Sequence, residues 1–272
     1  MKPAPFQLLT APDLPAALPL LSDGAAETKP VAGSQSLGPM LNLRLARPAR
    51  LLDISRLPEL RRVEEDADAI TYGAALTHAE FEDGTLPDAT PGWLPAIARR
   101  IAYRAVRNRG TIGGSLAHAD PAADWVNTLI ALGASVRLAG GTAPRDMALN
   151  DFITGPLATA LAPGEVITAI RIPRRTPAAR WSYWKFCRKQ GEFAKASAAI
   201  LADPTRGDYR VLAGALDRAP VLLPDARALI DGQADASQVV TAALPDLSPA
   251  RLTLQITATR RALASLTEGT PA

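Results

Sequence analysis

Apolar residues recur along this chain with two alternating periods, one near 3.6 and one near 2. Leu14, Ala17, Leu18 and Leu21 share a helical face behind Asp13, a residue type suited to cap a helix, and Pro19 inside the stretch predicts a short or kinked helix. Lys29-Pro30-Val31-Ala32 reads as a short strand, Leu37 to Leu45 as a helical turn or two, and Arg50 to Ile54 as another strand. A second unit opens near Leu57, with a strand at Ala69 to Ala74 and helical spacing from Trp93 to Val106, closed by the polar turn Arg107-Asn108-Arg109-Gly110. Asp120-Pro121 has the form of a helix start, a capping carboxylate followed by proline at the first helical position, for a helix running to Leu132 and ended by Gly133.

Ala134 to Ala139 and Glu165 to Ile172 predict further strands, and Pro173-Arg174-Arg175-Thr176-Pro177 predicts a linker. Beyond it, strands are expected at Trp181–Arg188, Ala196–Ala202 and Tyr209–Leu216, then helices near Pro224–Ile230, Ala236–Ala243 and Pro249–Leu266. The pattern predicts an α+β fold, with a domain boundary at the linker and no internal repeat.

A chain of 272 residues has room for two domains, and 47% hydrophobic with 21% charged residues is the balance of a folded protein. The net charge of +3, from 30 basic and 27 acidic residues, is spread along the chain and gives nucleic-acid binding no support. Arg99, Arg100, Arg104, Arg107 and Arg109 form the one local cluster, readable as a solvated helix face or as a positive field at a contact or ligand. No run reaches the roughly 18 apolar residues of a membrane span, and the N-terminus lacks a signal-peptide core, so a cytoplasmic location is expected. A single cysteine, Cys187, cannot supply the four thiolates of an iron–sulfur cluster, and His78 and His118 lack metal-ligand spacing.

Two segments carry the candidate chemistry. Val31-Ala32-Gly33-Ser34-Gln35-Ser36 and Gly110-Thr111-Ile112-Gly113-Gly114-Ser115 join a strand end to small residues and hydroxyls. Such segments can point successive amides at phosphate oxygens, with glycine allowing close approach and positive φ. Neither is a Walker loop or a G-x-G-x-x-G fingerprint, and by spacing alone each can be a plain turn. Asp120 and Asp124 follow the second segment, where carboxylates suit sugar hydroxyls better than phosphate; Asp120 can equally be a simple helix cap, whereas Asp124 has no evident structural role.

Taken together, these segments resemble the flavoprotein subunits of the carbon monoxide dehydrogenase and xanthine dehydrogenase family. The resemblance rests on Ala32 to Leu37, Leu43 to Pro48, Leu52-Asp53-Ile54, Arg107 to Ser115, Asp120 to Asp124, Gly164 to Ile167, Ile172-Pro173, Lys185 to Lys189 and Gly191 to Ala194, in order along nearly the whole chain. It implies a two-part FAD-binding domain of the PCMH, vanillyl-alcohol-oxidase-like type over residues 1–175, with subdomains of about 1–56 and 57–175. A smaller α+β C-terminal domain with an antiparallel sheet would follow over 178–272.

Carried over by position, the resemblance implies that Ala32, Gly33, Ser34, Gln35, Ser36 and Leu37, with Thr111, Ile112, Gly113, Gly114 and Ser115, hold the FAD pyrophosphate through amides and hydroxyls. Asp120 and Asp124 would serve the sugar portion, Lys185 would lie near the flavin ring, and Ile167 or Val166 and Phe193 would pack against the ring system. The family commonly has glycine at the position of Ser34. A histidine that can bind flavin covalently in distant oxidases is replaced by Gln35, so noncovalent FAD is expected.

The molybdenum cofactor and [2Fe-2S] clusters are then expected in partners only, a large molybdopterin subunit and a small iron–sulfur subunit, assembled as a heterotrimer or a dimer of heterotrimers. The implied function is electron transfer from those clusters to an external acceptor, with substrate hydroxylation in the large subunit. A stand-alone FAD-dependent oxidoreductase and a flavin-free structural subunit are the alternatives.

Overall fold

The computed structural model describes residues 2–23, 28–189 and 191–268. The first unit is a three-stranded parallel sheet, β1 (Gln7–Thr10), β2 (Thr28–Val31) and β3 (Arg50–Asp53), ordered β1-β3-β2. Helix α1 (Leu14–Ser22) packs on it, capped by Asp13, whose Oδ1 accepts from the Ala16 amide at 2.9 Å. Pro19 sits inside this nine-residue helix, as its spacing predicts, and the short helix α2 (Leu37–Asn42) follows β2.

After a 3-10 turn at Pro58–Arg61, the second unit is a five-stranded antiparallel sheet. Its strands are β4 (Val63–Glu65), β5 (Ala69–Gly73), β6 (Ser135–Ala139), β7 (Arg145–Ala148) and, after the small hairpin β8 (Ile153–Gly155) and β9 (Ala158–Thr159), β10 (Val166–Pro173). The order β4-β5-β10-β6-β7 places β10 at its centre. Helices α3 (His78–Glu82), α4 (Trp93–Arg100), α5 (Arg104–Arg107), α6 (Ile112–His118), α7 (Asp124–Ala131) and α8 (Leu149–Phe152) belong to this unit.

A third, antiparallel sheet follows, β11 (Arg180–Phe186), β12 (Ala196–Asp203), β13 (Asp208–Gly214) and β14 (Val221–Leu222), with α9 (Ala226–Ile230), α10 (Ala236–Ala243) and α11 (Pro249–Glu268). Period-2 alternation gives β12 two buried faces: Ala199 and Leu201 enter a core with Trp93, Trp125 and Tyr72, whereas Ala198 and Ile200 pack with Ala258 and Ala262 of α11. The middle of the linker segment is fastened to the third sheet. Arg175 Nη1 meets Asp208 Oδ2 at 2.7 Å, and Thr176 Oγ1 donates to Asp203 Oδ1 at 2.6 Å.

Two elements depart from the sequence pattern. Helical spacing from Trp93 to Val106 predicts one helix, but it divides into α4 and α5. The buried Arg107 guanidinium donates to the carbonyls of Ile101 and Ala102 at 2.9 and 3.0 Å, withdrawing them from a helical ladder, and Ala102 turns to φ 40°. The arginine cluster is solvated only in part: Arg99, Arg104 and Arg109 are exposed, Arg104 pairing with Glu82 and Asp83, whereas the buried Arg107 grips Glu82 through Nε and Nη2 at 2.6 and 2.9 Å. The second departure is at Asp120-Pro121. The helix begins three residues later, at Asp124 after Ala123, because the Pro121 carbonyl is taken by the Ala215 amide at 3.0 Å and by Asn127 Nδ2 at 3.2 Å.

His78 is a structural residue. Its ring is buried, Nδ1 accepts from Trp125 Nε1 at 2.9 Å, and Nε2 faces the α-carbon of Gly110, where an added Cβ would come within 2.6 Å. Because indole can only donate, the neutral ring carries its proton on Nε2. Burial, aided by the Arg107 charge, depresses its pKa to about 4.

Removing the Arg107 clasp leaves Glu82 without its bidentate partner, so Arg107→Ala should lower stability by roughly 3 kcal/mol in urea unfolding. A loss below about 1 kcal/mol would show that the clasp does not hold the α4–α5 break. For His78, the unfolded state takes up a proton near pH 6.5 that the native state refuses until about 4. Stability from this group is thus complete above pH 6.5 and is lost on acidification through that window, by roughly 3 kcal/mol in total. Thermal melts of His78→Asn, which keeps an acceptor toward Trp125, should show a flatter pH dependence there; an unchanged profile would rule out His78 as the source.

Candidate functional site

The segment after β2, Ala32 to Ser36, joins that strand to α2. Among the described residues, no amide from Ala32 through Leu37 donates to another part of the chain, and the Ser36 side chain makes no cap bond to the helix it precedes. Ser34 adopts φ 61°, the left-handed conformation otherwise favoured by glycine. The serine thus tolerates the less permissive φ. Gln35 folds back, its Nε2 donating to Gly33 O at 2.9 Å. What remains is a run of unpaired N–H groups bent around one left-handed residue, the geometry of an anion nest.

This loop abuts the second. A Cβ on Gly33 would lie 2.0 Å from Arg109 O and 2.7 Å from the Gly110 α-carbon, so the two backbones touch and only glycine fits. The second segment is not a free loop, however. Thr111 caps α6, and residues Ile112 to Ser115 are its first turn. The Ile112 amide donates to Leu76 O at 3.0 Å, Gly113 to Ala74 O at 2.9 Å, Gly114 to Thr111 Oγ1 at 3.1 Å and Ser115 to Thr111 O at 3.0 Å. Its amides are spent inside the protein, which leaves the Thr111 and Ser115 hydroxyls as its donors. Gly113 and Gly114 do not need positive φ: Gly113 is required because a Cβ would strike Ala74 at 2.5 Å, and Gly114 gives the exposed helix end a bare surface.

Asp120 holds a local turn, its Oδ1 accepting from the Ala122 amide at 2.9 Å. Asp124 has a structural partner that the sequence does not disclose. Buried at the start of α7, it receives Lys185 Nζ at 3.0 Å on Oδ1 and 2.8 Å on Oδ2, and Tyr183 Oη donates to Oδ1 at 2.8 Å. Tyr183 and Lys185, two apart on β11, share the face turned toward α7. Burial, and then the Asp124 charge, push the Tyr183 hydroxyl pKa well up.

The expected ring contacts divide. Val166 and Ile167 point to opposite faces of β10 and are buried in separate cores. Phe193 is 63% exposed, in a segment tied by the Gly191–Ile101 bridge. His118 is half-buried, and Cys187 is a free, half-buried thiol. Among the described residues no cluster of His, Cys, Asp or Glu could hold a metal, and no helix is long and apolar enough to cross a membrane. Two surface recesses, beside Leu229–Ala236 and beside Pro15–Ser22, border none of the candidate site residues.

Comparison with known proteins adds the family. Residues 4–175 match the family model described as the FAD binding domain in molybdopterin dehydrogenase. The nicotine 6-hydroxylase medium subunit of Paenarthrobacter nicotinovorans is 35% identical over 76% of this chain and 73% of its own length. The carbon monoxide dehydrogenase medium chain of Hydrogenophaga pseudoflava is 35% identical over 74% of this chain and 70% of its own. Among solved structures, carbon monoxide dehydrogenase from Hydrogenophaga pseudoflava superposes with a TM-score of 0.90 at 29% identity, covering 98% of this chain and 99% of that one. Quinoline 2-oxidoreductase from Pseudomonas putida 86 gives 0.87 at 29% identity, with 99% of each chain covered. The chain belongs to the family of FAD-binding domains of molybdopterin dehydrogenases.

Proposed function

We propose that this chain is the FAD-binding medium subunit of a multi-subunit molybdenum hydroxylase, an oxidoreductase component that passes electrons between partner clusters and an outside acceptor. The observation that carries the reading is the run of unpaired amides from Ala32 to Leu37, closed against Gly110, in a chain of this family. Such donors fit a pyrophosphate, and the Thr111 and Ser115 hydroxyls at the adjoining helix end extend the same donor set. Asp124 and Lys185 offer an acceptor and a donor of no net charge, suited to neutral hydroxyl or ring groups of the same cofactor. Ser34, Gln35, Ser36 and Leu37 would contribute amides, and exposed Phe193 an aromatic surface beside the flavin. Ile167 would act through the core that backs the site rather than by open contact.

Bound FAD would supply the redox chemistry, which needs no general base from this chain. The protein's part is to bind the cofactor, orient it and set its surroundings. Gln35, folded onto Gly33, fits noncovalent attachment. The family resemblance supports a small [2Fe-2S] subunit and a large molybdopterin subunit as partners, as a dimer of heterotrimers in the cytoplasm. It also supports a PCMH-type division of residues 1–175 followed by a domain over 178–272. Each sheet described above lies within one of these spans.

Purified with its partners, or reconstituted with FAD, the chain should show the visible spectrum of a noncovalent flavin that is released on acid precipitation. Lack of flavin after reconstitution would overturn the reading. Gly33→Ala forces the two loop backbones apart and should cost about 2 kcal/mol in stability and most of the bound FAD. Wild-type flavin occupancy in that variant, measured by absorbance ratio, would remove the two-loop contact from the site.

A further inference from the structure

The Asp124–Lys185 pair does not stand alone. Asn127 is one helical turn after Asp124, three residues on along α7, and is wholly buried. Its Nδ2 donates to Ser197 Oγ at 3.3 Å, and Asn127 and Ser197 both lie beside the Tyr183 hydroxyl. Ser197 is the cross-strand partner of Lys185. Three elements thus converge on one hydroxyl: α7 through Asp124 and Asn127, β11 through Tyr183 and Lys185, and β12 through Ser197.

The inventory of donors and acceptors fixes the arrangement. An ionised carboxylate can only accept, so the Tyr183 proton goes to Asp124 Oδ1. Both lone-pair directions of Oδ1 are then filled, by Tyr183 and by Lys185. Oδ2 receives only Lys185, which leaves it one acceptor position, and the three-proton ammonium keeps a donor beside it. An acceptor and a donor side by side, with no net charge, match a ligand hydroxyl that gives one hydrogen bond and takes another.

We infer that Tyr183 is a positioning residue: flanked by Asn127 and Ser197, it saturates Asp124 Oδ1 so that the Asp124–Lys185 pair turns Oδ2 and one ammonium proton to a polyol hydroxyl of the bound cofactor. The inference rests on the proposed flavin reading. It separates the chain's recognition into two parts, amides for the pyrophosphate and a set ion pair for the polyol chain. Without the tyrosine hydroxyl, Oδ1 regains a lone pair and the carboxylate can rotate on its stem, so the polyol contact loses direction while the loop amides are untouched.

The test is a binding titration of the full chain, stripped of flavin, with FAD and separately with ADP, which carries the pyrophosphate and adenosine but no polyol chain. Tyr183→Phe should weaken FAD about tenfold, the magnitude of one hydrogen bond to a charged group, and leave ADP unchanged. Ser197→Ala, which keeps the Tyr183–Asp124 bond but loosens its support, should weaken FAD less, again with ADP unchanged. This variant carries the test if the melting curve of Tyr183→Phe shows that it does not fold. Equal loss of FAD and ADP would assign Tyr183 a merely structural role and overturn the inference, as would wild-type FAD affinity in the folded Tyr183→Phe protein. Asp124→Asn separates the two levels: if that variant also keeps wild-type FAD affinity, the assignment of Asp124 to the cofactor fails, whereas its loss beside an unaffected Tyr183→Phe refutes the positioning role alone.

Discussion

The arrangement depends first on a contact between two stretches of backbone, Gly33 against Arg109 and Gly110. Strand β2 delivers one side from the parallel sheet and α5 delivers the other, and no side chain can stand between them. Gly110 is in turn seated on His78, so it is closely approached on two sides. Close packing of this kind tolerates almost no added volume, because interiors are already near crystal density. The position of the amide run relative to the end of α6 therefore follows from excluded volume as much as from hydrogen bonding.

A second constraint acts across the chain. Asp124, Lys185 and Tyr183 bring opposite charges and a hydroxyl out of water together, an arrangement whose net contribution to stability is small but whose partial loss is costly. A core designed only for stability would use apolar residues here. The polar set instead fixes geometry between α7 and β11, and the adjacent Asn127 and Ser197 leave the tyrosine little freedom.

Much of this was legible in the sequence, and the exceptions have identifiable causes. The Asp13 cap, β2, β10 and the alanine-rich β12 follow from local pattern, because each element's propensity agrees with its packing. The break between α4 and α5 and the late start of α7 were hidden, since both arise when a distant group captures a carbonyl: Arg107 in one case, Ala215 and Asn127 in the other. At the site, the order of motifs disclosed the first loop and the glycine positions. It did not disclose that the amides of Ile112 and Gly113 are already engaged by Leu76 and Ala74, or that Ser34 assumes the left-handed path unaided by glycine. Tyr183 left only a faint trace, its place two residues before Lys185 on a strand.

The core shared by Trp93, Trp125, Tyr183, Leu201 and Leu212 has one further consequence. The residues that face one another across it come from opposite sides of the Pro173–Pro177 segment, so neither side presents a finished surface when alone. Recombination between relatives at that segment would join two halves shaped by different histories, and the mismatch would be felt in the buried seam rather than at the crossover. The pieces on either side of the junction are thus bound to descend together, each having been fitted to the other's interior.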